Sequence, residues 1–154
     1  MEVILHDGYG INLTIKAMRM YLERAGLGGY LYAWPEEEGY DNNIRKSVRI
    51  DDDADFPDGY EPYYDVVLKD LGKEATFNDV RENLLLDIHN PFDRTDKILI
   101  DLLRELKSEA TLHASPTIAT IPDDIEWYID SDSEYGTEWV VEGHYPRRWY
   151  GKPL

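Results

Sequence analysis

The residues with the most chemistry to offer lie near the end of the chain, where His144, Arg147 and Arg148 crowd among Glu126, Glu138, Glu142, Trp139 and Trp149. On a β-hairpin, carboxylates that share a face come close enough to orient a histidine or pair with an arginine. A guanidinium is a planar fork matched to phosphate or carboxylate. One expectation is therefore a small anionic ligand, such as a nucleotide, held by His144, Arg147 and Glu142 with Trp149 or Trp139 stacking on it. The plainer expectation is an Arg147–Glu142 pair that closes the sheet, with Trp149 plugging the core.

A second candidate is a surface. Residues 34–65 carry 11 acids and 3 bases, a net of −8, which is half of the chain's −16. Glu36, Glu37, Glu38, Asp51, Asp52, Asp53 and Asp55 are interleaved there with Tyr40, Phe56, Tyr60, Tyr63 and Tyr64. Spaced carboxylates among aromatics can show a basic site something resembling nucleic-acid phosphate. Complementary charge speeds encounter and selects partners, while aromatics hold the complex. The seven carboxylates and Tyr60 are the expected partner-binding residues. A solvated loop over a helix is the competing reading.

Other chemistry finds less support. Asp51-Asp52-Asp53-Ala54-Asp55 resembles the start of a calcium loop, but Gly is missing at the sixth place and Pro62 stands where the closing Glu belongs. His6, His89, His113 and His144 are scattered without zinc-ligand spacing. His6-Asp7 beside Gly8 and Gly10 could set an imidazole at a helix N-terminus, although a capping turn accounts for it as well. Gly8-x-Gly10 lacks the rest of a dinucleotide fingerprint, and Ser115 and Ser131 lack a nucleophile elbow. The expectation is a non-enzymatic protein with no metal and no cofactor.

Composition sets the wider bounds. A chain of 154 residues can bury a real core as one domain, and 12 Tyr with 4 Trp argue against disorder. With no Cys there is no disulfide framework. The net charge of −16 disfavours direct binding to nucleic acid or to an anionic membrane. No apolar run has spanning length, and the N-terminus does not read as a signal peptide, so the expected compartment is the cytoplasm.

The elements that must position these residues follow from periodicity. Glu2–Leu5 reads as a strand. A helix capped by Asn12 or Thr14 runs to Ala25, with Gly26 ending it. Gly29–Trp34 reads as a strand, and Ile44, Val48 and Ile50 as part of an edge strand. Glu61-Pro62 is expected to open a second helix ended by Gly72. Leu84–Ile88 is either a buried strand or the end of a helix that starts near Asn78. Thr95 is expected to cap a helix reaching about Lys107, with Ile98, Leu99, Leu102, Leu103 and Leu106 as its buried stripe. Thr117–Ile121 is a strand. Ile125, Trp127 and Ile129, then Trp139 and Val141, mark the apolar positions of the closing hairpin. The layout is α+β: a small, mainly antiparallel sheet of about five strands with two to three helices on it, in a single domain with an acidic irregular insertion at about 35–60.

Ile121-Pro122-Asp123-Asp124, Trp127, Gly136-x-Glu138-Trp139-Val140, Glu142 and His144, together with Arg94-x-Asp96-x-x-Leu99 and Gly8-Tyr9-Gly10 leading to Ala17, form a recognisable pattern. It resembles a family of small, functionally uncharacterised proteins of phages and large DNA viruses. The resemblance covers about residues 3–26 and 90–149. Tyr145-Pro146 separates His144 from Arg147, where the family's closing motif is contiguous, and residues 35–89 look like an expansion. The resemblance implies a viral setting and no particular activity.

The expectation for function is an accessory protein that binds and modulates or inhibits a host protein with a basic surface, for instance a nucleic-acid-binding or defence component. The alternative is the anionic-ligand site. An uncovered edge strand would allow a homodimer.

Overall fold

The structure, a computed structural model, describes residues 1–7, 10–35, 45–50, 56–86, 93–112, 116–132, 136–143 and 147–154. In chain order the first elements are β1 (Glu2–Leu5), α1 (Ile15–Arg24), β2 (Tyr30–Pro35), β3 (Lys46–Ile50) and β4 (Tyr60–Val67). Then come β5 (Glu74–Thr76), α2 (Phe77–Glu82), β6 (Leu84–Leu86) and α3 (Lys97–Leu106), with a 3₁₀ turn at Lys107–Glu109. The last are β7 (Thr117–Thr120), β8 (Trp127–Ser131), β9 (Glu138–Glu142) and β10 (Arg148–Trp149). The fold is α+β, and the strand pairings among the described residues are antiparallel. Among the described residues the strands form a five-stranded sheet, β5-β3-β2-β4-β6, a two-stranded one, β1-β7, and a three-stranded one, β10-β9-β8.

The chain packs as two compact units, Met1–Ala25 with Phe92–Leu154, and Gly26–Pro91. The second lies within the sequence of the first and contains the stretch 35–89 that reads as an expansion.

In the first unit α1 begins at Thr14, whose hydroxyl accepts from the Ala17 N–H at 3.2 Å. It ends at Gly26, whose φ of +69° is a conformation that other residues resist. The start of α1 is tied to the end of α3: Thr14 N–H donates to Ala110 O at 2.9 Å, and the Thr14 hydroxyl to Glu109 O at 2.9 Å. Leu99, Ile100, Leu102, Leu103 and Leu106 form the buried side of α3. Its cap is Asp96, not the expected Thr95. The Asp96 carboxylate accepts from the N–H groups of Ile98 and Leu99 at 2.9 and 3.2 Å. A carboxylate satisfies two orphan donors and meets the positive helix end, which a threonine hydroxyl does less well.

The core of this unit is Val3, Leu5, Ala119, Ile121 and Val140, with Ile125, Trp127, Ile129 and Trp149 packed against it. The hairpin's inward positions differ from those read in the sequence. Ile129 pairs with Val140 and Trp127 with Glu142, so Val140, not Trp139 or Val141, shares the core face with both. Strand alternation is legible in one strand at a time. The register between strands sets which alternation meets the core, and a shift of one residue flips every side chain. Beyond β10 the chain pairs with β7 through Lys152 and Ile118, and Gly151 lies flush against Thr117.

The second unit corrects two expectations. Glu61 to Val67 is strand, not helix: β4 pairs with β2 from Tyr60 to Val67. Its 3–4 spacing of Tyr63, Val66 and Val67 coexists with Tyr and Val content that suits a pleated surface, and pairing to both β2 and β6 decides in favour of strand. β3 is not an edge strand either, since β5 and β2 flank it. Of the two readings of Leu84–Ile88 the strand holds for Leu84–Leu86, which follows a short α2 capped by Thr76; Asp87 and Ile88 lie outside the described residues. α2 covers one sheet face, where Tyr32, Val67 and Val80 form the core.

Candidate functional site

In the first unit three candidates from separate stretches converge. Glu138 opens β9, Arg94 precedes α3, and His6 follows β1. Arg94 grips Glu138 with both fork nitrogens, Nη1 to Oε1 at 2.7 Å and Nη2 to Oε2 at 3.1 Å. The backbone N–H of His6 donates to Glu138 Oε1 at 2.7 Å. Arg94 also donates from Nη1 to Ile4 O at 3.1 Å, while Ile4 N–H donates to Arg94 O at 2.7 Å. The two side chains of the pair are only 23% and 11% exposed, so each charge needs the other.

The His6 ring lies beside this pair, Nδ1 being 3.7 Å from Glu138 Oε1 and 2.6 Å from Asp7 O. A carbonyl oxygen only accepts, so Nδ1 carries the hydrogen of that bond, and the lone pair of the neutral ring is on Nε2. The arrangement can hold an imidazole in one orientation. Glu138 commits both oxygens to Arg94 and His6, which makes it an anchor and leaves it poorly placed to accept a proton from a substrate.

Asp96, two residues after Arg94, has partners of its own. Besides capping α3 it accepts from the Tyr21 hydroxyl at 2.5 Å. Burial of the phenol, and then the Asp96 carboxylate, raise the Tyr21 pKa well above its ordinary 10. The Arg94-x-Asp96-x-x-Leu99 pattern is thus three structural tasks: a clamp, a cap and a core residue that is wholly buried.

Of the expected ligand residues, His144 lies outside the described residues. Glu142 and Arg147 meet through their backbones, Glu142 N–H donating to Arg147 O at 3.0 Å. Arg147 is exposed and places its guanidinium 5.8 Å from the ring centre of Trp149. Trp149 itself packs on the core and its indole nitrogen is buried without a hydrogen-bond partner, so apolar contact anchors it. Glu126 is on the opposite face of the hairpin from Glu138 and Glu142, and the three do not form one carboxylate cluster.

Of the expected partner-binding residues, Glu36, Glu37, Glu38, Asp51, Asp52, Asp53 and Asp55 lie outside the described residues, as does Tyr40. Their anchor points are described. Tyr60 pairs with Pro35, so it stands at the end of the sheet from which Glu36–Glu38 continue. Ile50, from which Asp51 continues, pairs with Leu31 nearer the other end. Tyr60 is half-buried, and burial followed by the nearby Glu74 charge raises its pKa. The other aromatics of this segment serve the sheet: Tyr63 packs on Trp34 with ring centres 5.7 Å apart, and Phe56 on Tyr64 at 6.2 Å.

The sheet of this second unit also carries polar pairs, Arg49 and Asp65 standing beside Tyr32 on the face that α2 covers. Arg81 donates to the fully buried Asp65 at 2.8 Å and lies 5.8 Å from the Trp34 ring centre. Arg45 lies 5.0 Å from the Phe77 ring centre and donates to Pro35 O at 3.0 Å. Arg49 holds both oxygens of Asp70 at 2.7 Å. These ion pairs are not legible in the sequence, because their members are 16 and 21 residues apart and only the folded chain brings them together.

Among the described residues no group of His, Asp and Glu is arranged to hold a metal ion, and no helix is long and apolar enough to cross a membrane. No protein-family model, no curated protein and no solved structure matches the chain.

Proposed function

We propose that this protein acts by binding, offering the acidic Gly26–Pro91 unit to a basic surface of a partner protein and modulating or inhibiting it. One observation carries the reading. This unit holds 16 of the chain's 32 acids but 6 of its 16 bases, a net of −10 in 66 residues. Its three arginines are engaged with the sheet's own groups: Arg49 with Asp70, Arg81 with Asp65, and Arg45 with Pro35 O and Phe77. The excess of negative charge therefore belongs to the remaining carboxylates, Glu36–Glu38 and Asp51–Asp55 among them. A field of that sign attracts and selects a basic partner. The viral resemblance makes a host protein the partner to seek, a nucleic-acid-binding or defence component in the host cytoplasm being the natural class.

The test is a pull-down from nuclease-treated host lysate, comparing the protein with a variant in which Asp51, Asp52, Asp53 and Asp55 are Asn. The reading expects a specific basic protein whose capture falls with added salt and disappears in the variant. Capture that is indifferent to both salt and neutralisation overturns it.

A second reading is favoured by one feature of the other unit. Arg147 is exposed and lies against an indole ring, its guanidinium 5.8 Å from the Trp149 ring centre. A guanidinium beside an aromatic suits a small anion such as a nucleotide. Thermal stabilisation by a nucleotide that is lost in Arg147→Ala or His144→Ala would support this reading. No stabilisation across nucleotides and other anions would remove it.

A further inference from the structure

The outward face of the three-stranded sheet is unlike an ordinary solvated face. Register puts Tyr128, Val141 and Arg148 in one row, and Asp130 beside Trp139 in the next. Alternation adds Glu126 from the β8 side and Tyr150 from the β10 side, the Tyr150 ring centre being 6.4 Å from that of Trp139. Tyr128 and Tyr150 are 53% and 60% exposed, among the most exposed large apolar side chains described. The face is therefore graded: carboxylates along β8, Trp139 and Val141 along β9, and Arg148 on β10.

We propose that this face is a self-association surface through which two copies of the chain pack sheet against sheet. An isologous interface needs a patch complementary to itself. This one is complementary about one axis only. With the two-fold axis lying between the sheets and parallel to β9, β8 of one copy stacks on β10 of the other. The partner's Arg148 then lands over Tyr128, between Glu126 and Asp130, and the partner's Tyr150 faces Asp130. Arg148 already lies 4.6 Å from its own Trp139 ring centre, so in the dimer its guanidinium is held between two rings with carboxylates at its rim. Trp139 meets Trp139 at the centre, over a Val141 that is only 9% exposed. With the axis perpendicular to the strands, β8 would stack on β8 and the carboxylates would oppose one another, so charge selects the first arrangement.

The size of the patch sets the strength. Two strands of 5 residues and one of 2 span at most roughly 14 by 16 Å. That is well below the ~800 Å² per partner of a tight interface. The dimer is accordingly weak, reversible and visible at high protein concentration.

Sedimentation velocity across a wide concentration range tests this with the intact chain. Asp130→Arg and Arg148→Asp should each weaken self-association by at least about tenfold, because like charges then meet across both symmetry-related contacts. Mixed in equal amounts, the two variants should associate again, because positions 130 and 148 then carry opposite charges at both contacts of the mixed dimer. Far-UV circular dichroism confirms that each variant is folded, and recovery on mixing cannot come from a misfolded chain. A wild-type chain that stays monomeric at every concentration overturns the proposal. So does a dimer unaffected by either reversal. A monomer whose Trp fluorescence is quenched by a single-stranded oligonucleotide would assign the face to nucleic acid instead.

Discussion

Glu138 shows how much one side chain can hold. It joins the end of β1, the residue before α3 and the start of β9 through Arg94 and the His6 backbone. In Glu138→Gln the shape is kept and the charge removed, so a guanidinium that is only 23% exposed loses its counter-ion. The expected loss is about 2 kcal/mol in urea unfolding, from weakened charge-assisted bonds and partial burial of the unpaired cation. A change inside about 0.5 kcal/mol, the ordinary range of a surface substitution, would show that the clamp is dispensable. Gly151 is a second case. A Cβ there would lie 1.8 Å from Thr117 Oγ1 and 2.5 Å from Thr117 Cβ. Gly151→Ala must therefore push the Lys152 segment off β7, at a cost of about 2 kcal/mol, seen as a lower urea midpoint.

At the scale of elements, α1 and α3 meet through polar contacts, an Arg24–Glu105 pair at 2.6 Å and the Tyr21–Asp96 hydrogen bond among them. Asp96 caps α3 and receives the Tyr21 hydroxyl. Tyr21→Phe should cost about 1 kcal/mol and Asp96→Ala about 2 kcal/mol, since the latter removes both the cap and the inter-helix bond. The double variant should be little worse than Asp96→Ala alone, because the shared bond cannot be lost twice. Full additivity in urea titrations would deny the coupling. The same residues show what was legible. Asp96 at the positive end of a helix was readable as a favourable charge, but Thr95 competed for the cap, and only backbone geometry separates two adjacent capping residues. At β4 the local pattern admitted a helix, and pairing on both sides overruled it.

For the whole molecule, pH should act from both ends. Hydrogen bonds from Gly72 and then Arg49 hold Asp70 below its ordinary 3.8, bonds from Thr95 do the same for Asp93, and the bond from Arg104 lowers Glu2 from its ordinary 4.5. Groups lowered on folding stabilise above their unfolded values, and that contribution fades as pH falls through them toward the folded values. Stability should therefore be level above about pH 5 and decline below about 4. Tyr21 works the other way. Its pKa is raised on folding, so its contribution is complete below 10 and is lost as pH climbs beyond that. Unfolding midpoints in urea across this range check both limbs, and the alkaline decline should be shallower in Tyr21→Phe.

The sequence by itself determined the α+β class, β1, α1, β2, α3, β7 and the closing hairpin, because each is written in local periodicity, a cap or a glycine. It also determined the concentration of acid between residues 34 and 65, since charge per segment needs no coordinates. Tertiary structure alone decided which faces of the hairpin look inward, that β3 is interior, and that Arg94 belongs to Glu138 across 44 residues of sequence. Those outcomes depend on strand register and on contacts between distant segments. A side chain's neighbours in the chain carry no information about either until the sheets have formed.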